Sequence, residues 1–146
     1  MSYYIWVTIY YNVGNLENSI LFYKKLLGME PETRFQDRWA HFKIIEGLSL
    51  GLLSLKFDKN YIETNEDVLN HYDQNYINNF SDQVIVGNSC ILNLTVENLE
   101  KEYERVTKLK PRAITELRYI NFMFPYRFFI VEDPDGNKIE ITENPK

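Results

Sequence analysis

The chain has 146 residues and a formal net charge of −5, from 16 Lys and Arg against 21 Asp and Glu. Its 45% hydrophobic and 25% charged content is that of a folded soluble protein, and the length sets an expectation of a single domain over 1–146, large enough to enclose a core. An acidic balance without a basic run excludes sequence-independent nucleic-acid binding, no stretch is long and apolar enough for a membrane span, and a cytoplasmic location is expected.

The unusual quantity is the aromatic content, 15% of the chain, with 11 Tyr, 9 Phe and 2 Trp. Rings in that number either pack a core or line a cavity. The lone Cys90 cannot form an internal disulfide and reads as a small buried hydrophobe.

Residues from Tyr3 to Tyr11 are dense in β-branched and aromatic types and predict a strand. Leu16, Ile20, Tyr23 and Leu27 then recur at helical spacing, behind a capping candidate at Asn15 and ahead of a stop at Gly28 and Pro31. A weak strand falls somewhere in 29–36, and 38–45 and 48–55 read as two strands around a Glu46-Gly47 turn. Sliding the sequence against itself places Val13, Asn15, Leu16 and Glu17 on Val96, Asn98, Leu99 and Glu100. The second half repeats the order: a helix stopped by Pro111, then strands near 113–120, 126–132 and 138–142, the last two joined by a type I turn at Asp133-Pro134-Asp135-Gly136. Module one therefore spans about 1–56 and module two about 89–146. The linker, about 57–88, carries one possible short helix around Glu66–His71.

Two β-α-β-β-β modules, the helix sequence Phe22-Tyr23-x-x-Leu26-Leu27-Gly28 and the ending Glu132-Asp133-Pro134-Asp135-Gly136-Asn137-x-Ile139-Glu140 resemble the vicinal-oxygen-chelate superfamily. That superfamily includes glyoxalase I, extradiol dioxygenases and fosfomycin- and bleomycin-resistance proteins. The resemblance implies an α+β fold of two tandem modules, forming paired curved mixed sheets around a ligand cleft, and it implies a homodimer. In metal-using members the four ligand positions match Thr8, Gly51, Ile91 and Glu140, of which only Glu140 keeps a ligand side chain. No metal and no cofactor are expected on that set, because one carboxylate does not hold a divalent ion.

Strand alternation puts Trp6, Thr8 and Tyr10 on one face of the first strand, which by the resemblance looks into the cleft and suits a small organic ligand of aromatic or cationic character. The alternative is that the rings fill the cleft or form a dimer seam. Asn93 faces the same way on the equivalent strand, and Arg127 is read either as a clamp for an anionic group or as a partner of Glu132 or Asp133. Glu140 and His41 are the catalytic candidates, His41 sharing a face with Trp39 and Lys43 opposite Ala40 and Phe42. The cluster Phe122, Met123 and Phe124 reads as core or subunit contact. The expected function is metal-free binding of a small molecule, as in bleomycin-resistance proteins; the alternative is a glyoxalase-like lyase or isomerase using Glu140, with His41, as acid and base.

Overall fold

Strand β1 (Val7–Asn12) runs parallel to β4 (Leu48–Leu53), which pairs antiparallel with β3 (Trp39–Ile45), which in turn pairs with β2 (Thr33–Phe35). The second sheet repeats this order: β5 (Leu92–Val96) is parallel to β9 (Lys138–Glu143), and β8 (Phe124–Glu132) pairs antiparallel with β9, with β6 (Ala113–Ile114) and with β7 (Arg118–Phe122). This is a computed structural model that describes residues 3–87, 90–122 and 124–144, without the side chains of Phe122 and Phe124. The cluster formed by those two with Met123 lies outside the described side chains. The fold is mixed α+β, with two mixed sheets of four and five strands. Tyr10 pairs with Gly51 in the first sheet as Asn93 pairs with Glu140 in the second, so the duplication holds down to the register.

The chain divides into two compact units, one of residues 1–20 and 29–85 and one of residues 21–28 and 86–146. Helix α1 (Leu16–Leu27) contributes to both, and the linker belongs to the first. Both module helices start on the expected cap: Asn15 Oδ1 accepts from the amide of Asn18 at 2.9 Å, and Asn98 Oδ1 accepts from that of Lys101 at 3.0 Å at the head of α4 (Leu99–Lys108). They end differently. Gly28 takes a left-handed φ of +67° after α1, whereas Lys110, at +52°, adopts that conformation just before Pro111.

Strand β1 begins at Val7 rather than Tyr3, and the reason lies in its partner. β4 starts at Leu48, the Val7 amide donates to the carbonyl of Gly47 in the turn, and among the described residues no strand beyond that turn offers Tyr3–Ile5 a ladder. In the first sheet Tyr11, Ala40, Phe42, Leu50 and Leu52 form the buried face. In the second unit Phe129, Val131, Ile139 and Ile141 are fully buried and α4, carrying buried Leu99 and Val106, packs on β8 and β9. Cys90 is exposed, correcting its expected burial: it stands before β5, where no sheet face encloses it.

The type I turn is present, the Gly136 amide donating to the Asp133 carbonyl at 2.9 Å with Gly136 at φ +90°. The buried Asp133 carboxylate accepts from the amides of Asp135 and Asn137, the Asn137 side chain and the Tyr23 hydroxyl. Burial pushes its pKa up, and these neutral donors oppose the shift without cancelling it.

The linker is structured beyond the one short helix expected. Helix α2 (Lys56–Thr64), a 3-10 turn at Val68–Asn70 and helix α3 (Gln74–Asn78) are gathered around Asp58, whose side chain is fully buried. Its carboxylate accepts from Arg38 Nε at 2.7 Å and Nη2 at 3.2 Å, from the Tyr72 hydroxyl at 2.7 Å and from the Tyr76 hydroxyl at 2.5 Å. Four hydrogen bonds from three residues, one of them a cation, are what a buried carboxylate needs to remain ionised.

Candidate functional site

The open face of the first sheet is built from three cross-strand rows. Thr8, Ser49 and Lys43 form one; Tyr10, Gly51, His41 and Thr33 the next; Asn12, Leu53, Trp39 and Phe35 the third. Period-two alternation puts all of these opposite the buried face of Tyr11, Leu50 and Phe42. Both tryptophans lie over the central strand β4. The Trp6 indole N–H donates to Ser49 Oγ at 3.2 Å, and the Lys43 ammonium stands 5.7 Å from the Trp6 ring centre. The Trp39 ring covers Gly51 so closely that a Cβ at residue 51 would stand 2.2 Å from its Cη2. Tyr10 meets Trp39 edge-on, with ring centres 6.0 Å apart, and remains 55% exposed. In the same row as Trp39, Asn12 Oδ1 is buried and accepts no hydrogen bond from the described residues.

His41 shares this face with both ring nitrogens engaged: Nδ1 lies 2.5 Å from the Thr33 hydroxyl and Nε2 3.3 Å from Glu32. These two contacts fix the orientation of the imidazole on the face.

In the second unit Asn93 Nδ2 donates to Glu140 Oε1 at 2.9 Å and to the Thr142 hydroxyl at 2.7 Å, and that hydroxyl donates to the same Oε1 at 3.1 Å. Glu140 Oε2 takes no hydrogen bond from the described residues, so one oxygen of a half-buried carboxylate stands open. Arg127 does not join this pair. It shares a face with buried Phe129 and Val131, and its guanidinium bonds Glu143 and Glu100 instead of Glu132 or Asp133. Those carboxylates raise its already high pKa further.

Trp6, Thr8, Tyr10 and His41 thus belong to one unit, and Asn93, Arg127 and Glu140 to the other. The four positions matching the family's metal ligands carry a neutral hydroxyl at Thr8, no side chain at Gly51, an alkyl chain at Ile91 and one carboxylate at Glu140. They do not fit a divalent cation, and among the described residues no three His, Cys, Asp or Glu side chains come together.

Sequence reasoning missed Trp39 as the dominant ring of the open face, although its parity with His41 was visible. It also missed a concavity of about 860 Å³ built by the linker. Its signal in the sequence was the spacing of Phe57 with Tyr61 and of Tyr72 with Tyr76, each one helical turn apart.

The Glyoxalase/Bleomycin resistance protein/Dioxygenase superfamily model matches residues 6–141, and the chain belongs to that superfamily. Among solved structures it is similar to a glyoxalase/bleomycin resistance protein from Catenulispora acidiphila, at 18% identity and TM-score 0.59, over 97% of this chain and 100% of that one. A lactoylglutathione lyase from Agrobacterium tumefaciens gives 16% identity and TM-score 0.62 over 99% and 96%. A glyoxalase-related enzyme from Fulvimarina pelagi gives 20% and 0.59 over 94% and 86%. These likenesses extend to the fold. No curated protein matches the chain.

Proposed function

We propose that the protein binds a small organic molecule on the aromatic face of its first sheet, without a metal ion. The observation that carries this reading is the Trp39 ring lying over Gly51. At the position where metal-using relatives place a donor, this chain has no side chain, and an indole takes the room. Trp6, Trp39 and Tyr10 offer stacking surfaces, Lys43 a single charge, and Asn12 Oδ1 an acceptor in need of a donor. A flat ligand carrying an N–H or O–H group suits that combination. The exposed run Tyr3, Tyr4 and Ile5 supports a second copy as its cover, making the protein a homodimer.

Since both tryptophans lie on this face, intrinsic fluorescence reports on it directly. Titration with a panel of flat heteroaromatic compounds is expected to give saturable quenching by at least one of them. Tyr10→Ala is expected to weaken that ligand roughly two- to tenfold, the worth of one aromatic contact. An affinity unchanged in Tyr10→Ala would remove the face from the account. Acid–base catalysis is the second reading, favoured by the open Oε2 of Glu140, and it differs in one observable: the bound compound would be recovered chemically altered.

A further inference from the structure

The linker concavity shares Phe35 with the face just described, but none of Trp6, Thr8, Tyr10 or His41 lines it. Its walls are rings from three elements, Phe35 at the end of β2, Phe57 and Tyr61 one turn apart on α2, and Tyr72 and Tyr76 around the start of α3. Phe57 and Tyr61 are stacked with centres 6.0 Å apart, Tyr72 and Tyr76 are stacked at 5.3 Å, and Tyr61 meets Tyr72 edge-on at 5.8 Å.

The hydroxyls of these tyrosines are tied down. Those of Tyr72 and Tyr76 donate to Asp58, and that of Tyr61 donates to Asp67. Each bond fixes a ring's orientation and spends its polar end on the protein, so the ring surfaces are what remains for a ligand. The walls are therefore organised before anything binds, which lowers the entropic cost of binding. A core cluster would close on itself; this one stands open around about 860 Å³, within the range of small-molecule sites.

Charge selects among ligands. Asp58 is matched by Arg38, and Asp67 lies 3.4 Å from His71. Asp73 also lines the space; its Oδ1 accepts from the Tyr76 amide at 2.7 Å, and its Oδ2 takes no hydrogen bond from the described residues. Asp73 and Arg38 are the carboxylate and the guanidinium that line the space, and the guanidinium is already paired with Asp58. Ring faces attract cations through their quadrupole, and an open carboxylate adds to the same preference. An anion would meet the Asp73 carboxylate and a guanidinium whose charge is already matched by Asp58.

We propose that this linker pocket is a second small-molecule site, built for an organic cation of the alkyl- or arylammonium class, held between the stacked rings with its charge toward Asp73. The lining offers few fixed donors, so recognition depends on charge and ring contact.

Calorimetric titration of the full chain with benzyltrimethylammonium and with its neutral carbon isostere neopentylbenzene tests this. Saturable binding of the cation is expected, with the isostere weaker by about tenfold or more, the order of magnitude of a desolvated cation–π contact. Tyr61→Leu and Phe35→Leu are each expected to weaken the cation by several-fold to tenfold. Phe35 is half exposed, so its variant keeps the test valid should Tyr61→Leu not fold. No saturable binding, equal binding of the two compounds, or binding unchanged in both variants but lost in Tyr10→Ala would each overturn the proposal.

Discussion

Asp58→Ala is expected to destabilise the first unit by about 3 kcal/mol, the low end of the cost of removing one partner of a buried ion pair. The low end applies because the Arg38 side chain is 32% exposed and can turn its guanidinium to water, whereas the carboxylate is fully enclosed. The hydroxyls of Tyr72 and Tyr76 lose their acceptor in the same step, so the linker should loosen first. Urea unfolding followed by tyrosine absorbance measures this.

The pH dependence has a definite sign. Burial pushes the Asp58 carboxyl up, but hydrogen bonds from Arg38, Tyr76 and Tyr72 outweigh it and hold the pKa below the ordinary carboxylate value. A folded pKa below the unfolded value of about 3.9 gives stability that is complete above that value and lost as pH falls through the folded one. Asp133 runs the other way: its raised pKa makes its contribution fall as pH rises from the unfolded to the folded value, because it has neutral donors and no cation. Acid unfolding should therefore weaken the linker through Asp58, and Asp58→Asn should flatten that acid limb. An acid limb identical in Asp58→Asn would contradict the assignment.

Gly51→Ala is the second large effect. Its methyl would lie 2.2 Å from Trp39 Cη2 and under 3 Å from two further ring atoms, so the indole must leave. Overpacking of this kind costs about 1–3 kcal/mol. The test is a double-mutant cycle: in a Trp39→Leu background the same substitution is expected to be nearly neutral, giving a coupling of the same size. Additive effects would mean that the ring is not what excludes a side chain at 51. Tryptophan emission should shift in Gly51→Ala, since one of the two emitters moves into water.

What the sequence disclosed and what it hid follow from how local each signal is. Asn15 and Asn98 announce their helices because a cap is a contact across three residues, and the repeated Asn-Leu-Glu made the duplication visible. The parity of Trp39, His41 and Lys43 against Ala40 and Phe42 likewise needed only period two. The same parity sets Arg127 opposite Phe128, and its partners Glu100 and Glu143 are distant in sequence. The linker helices were hidden for a physical reason. α2 has Leu55 at its N-cap, with no side-chain hydrogen bond there, and its organiser is a buried Asp58 whose donors come from residues 38, 72 and 76. No local pattern marks an aspartate as buried. The closeness of Trp39 to Gly51 is also non-local, a pairing of two strands that alternation places on one face but cannot place in contact.

The central claim is that the open aromatic face has taken the place of a metal centre. Dialysis of the purified protein against Zn, Ni, Mn and Fe(II) in turn, followed by desalting and elemental analysis, tests it most directly. The account predicts that none of the four is retained in stoichiometric amount, since Thr8, Gly51 and Ile91 supply no strong donor beside Glu140. Tight stoichiometric retention of any one of them, lost in Glu140→Gln, would contradict it.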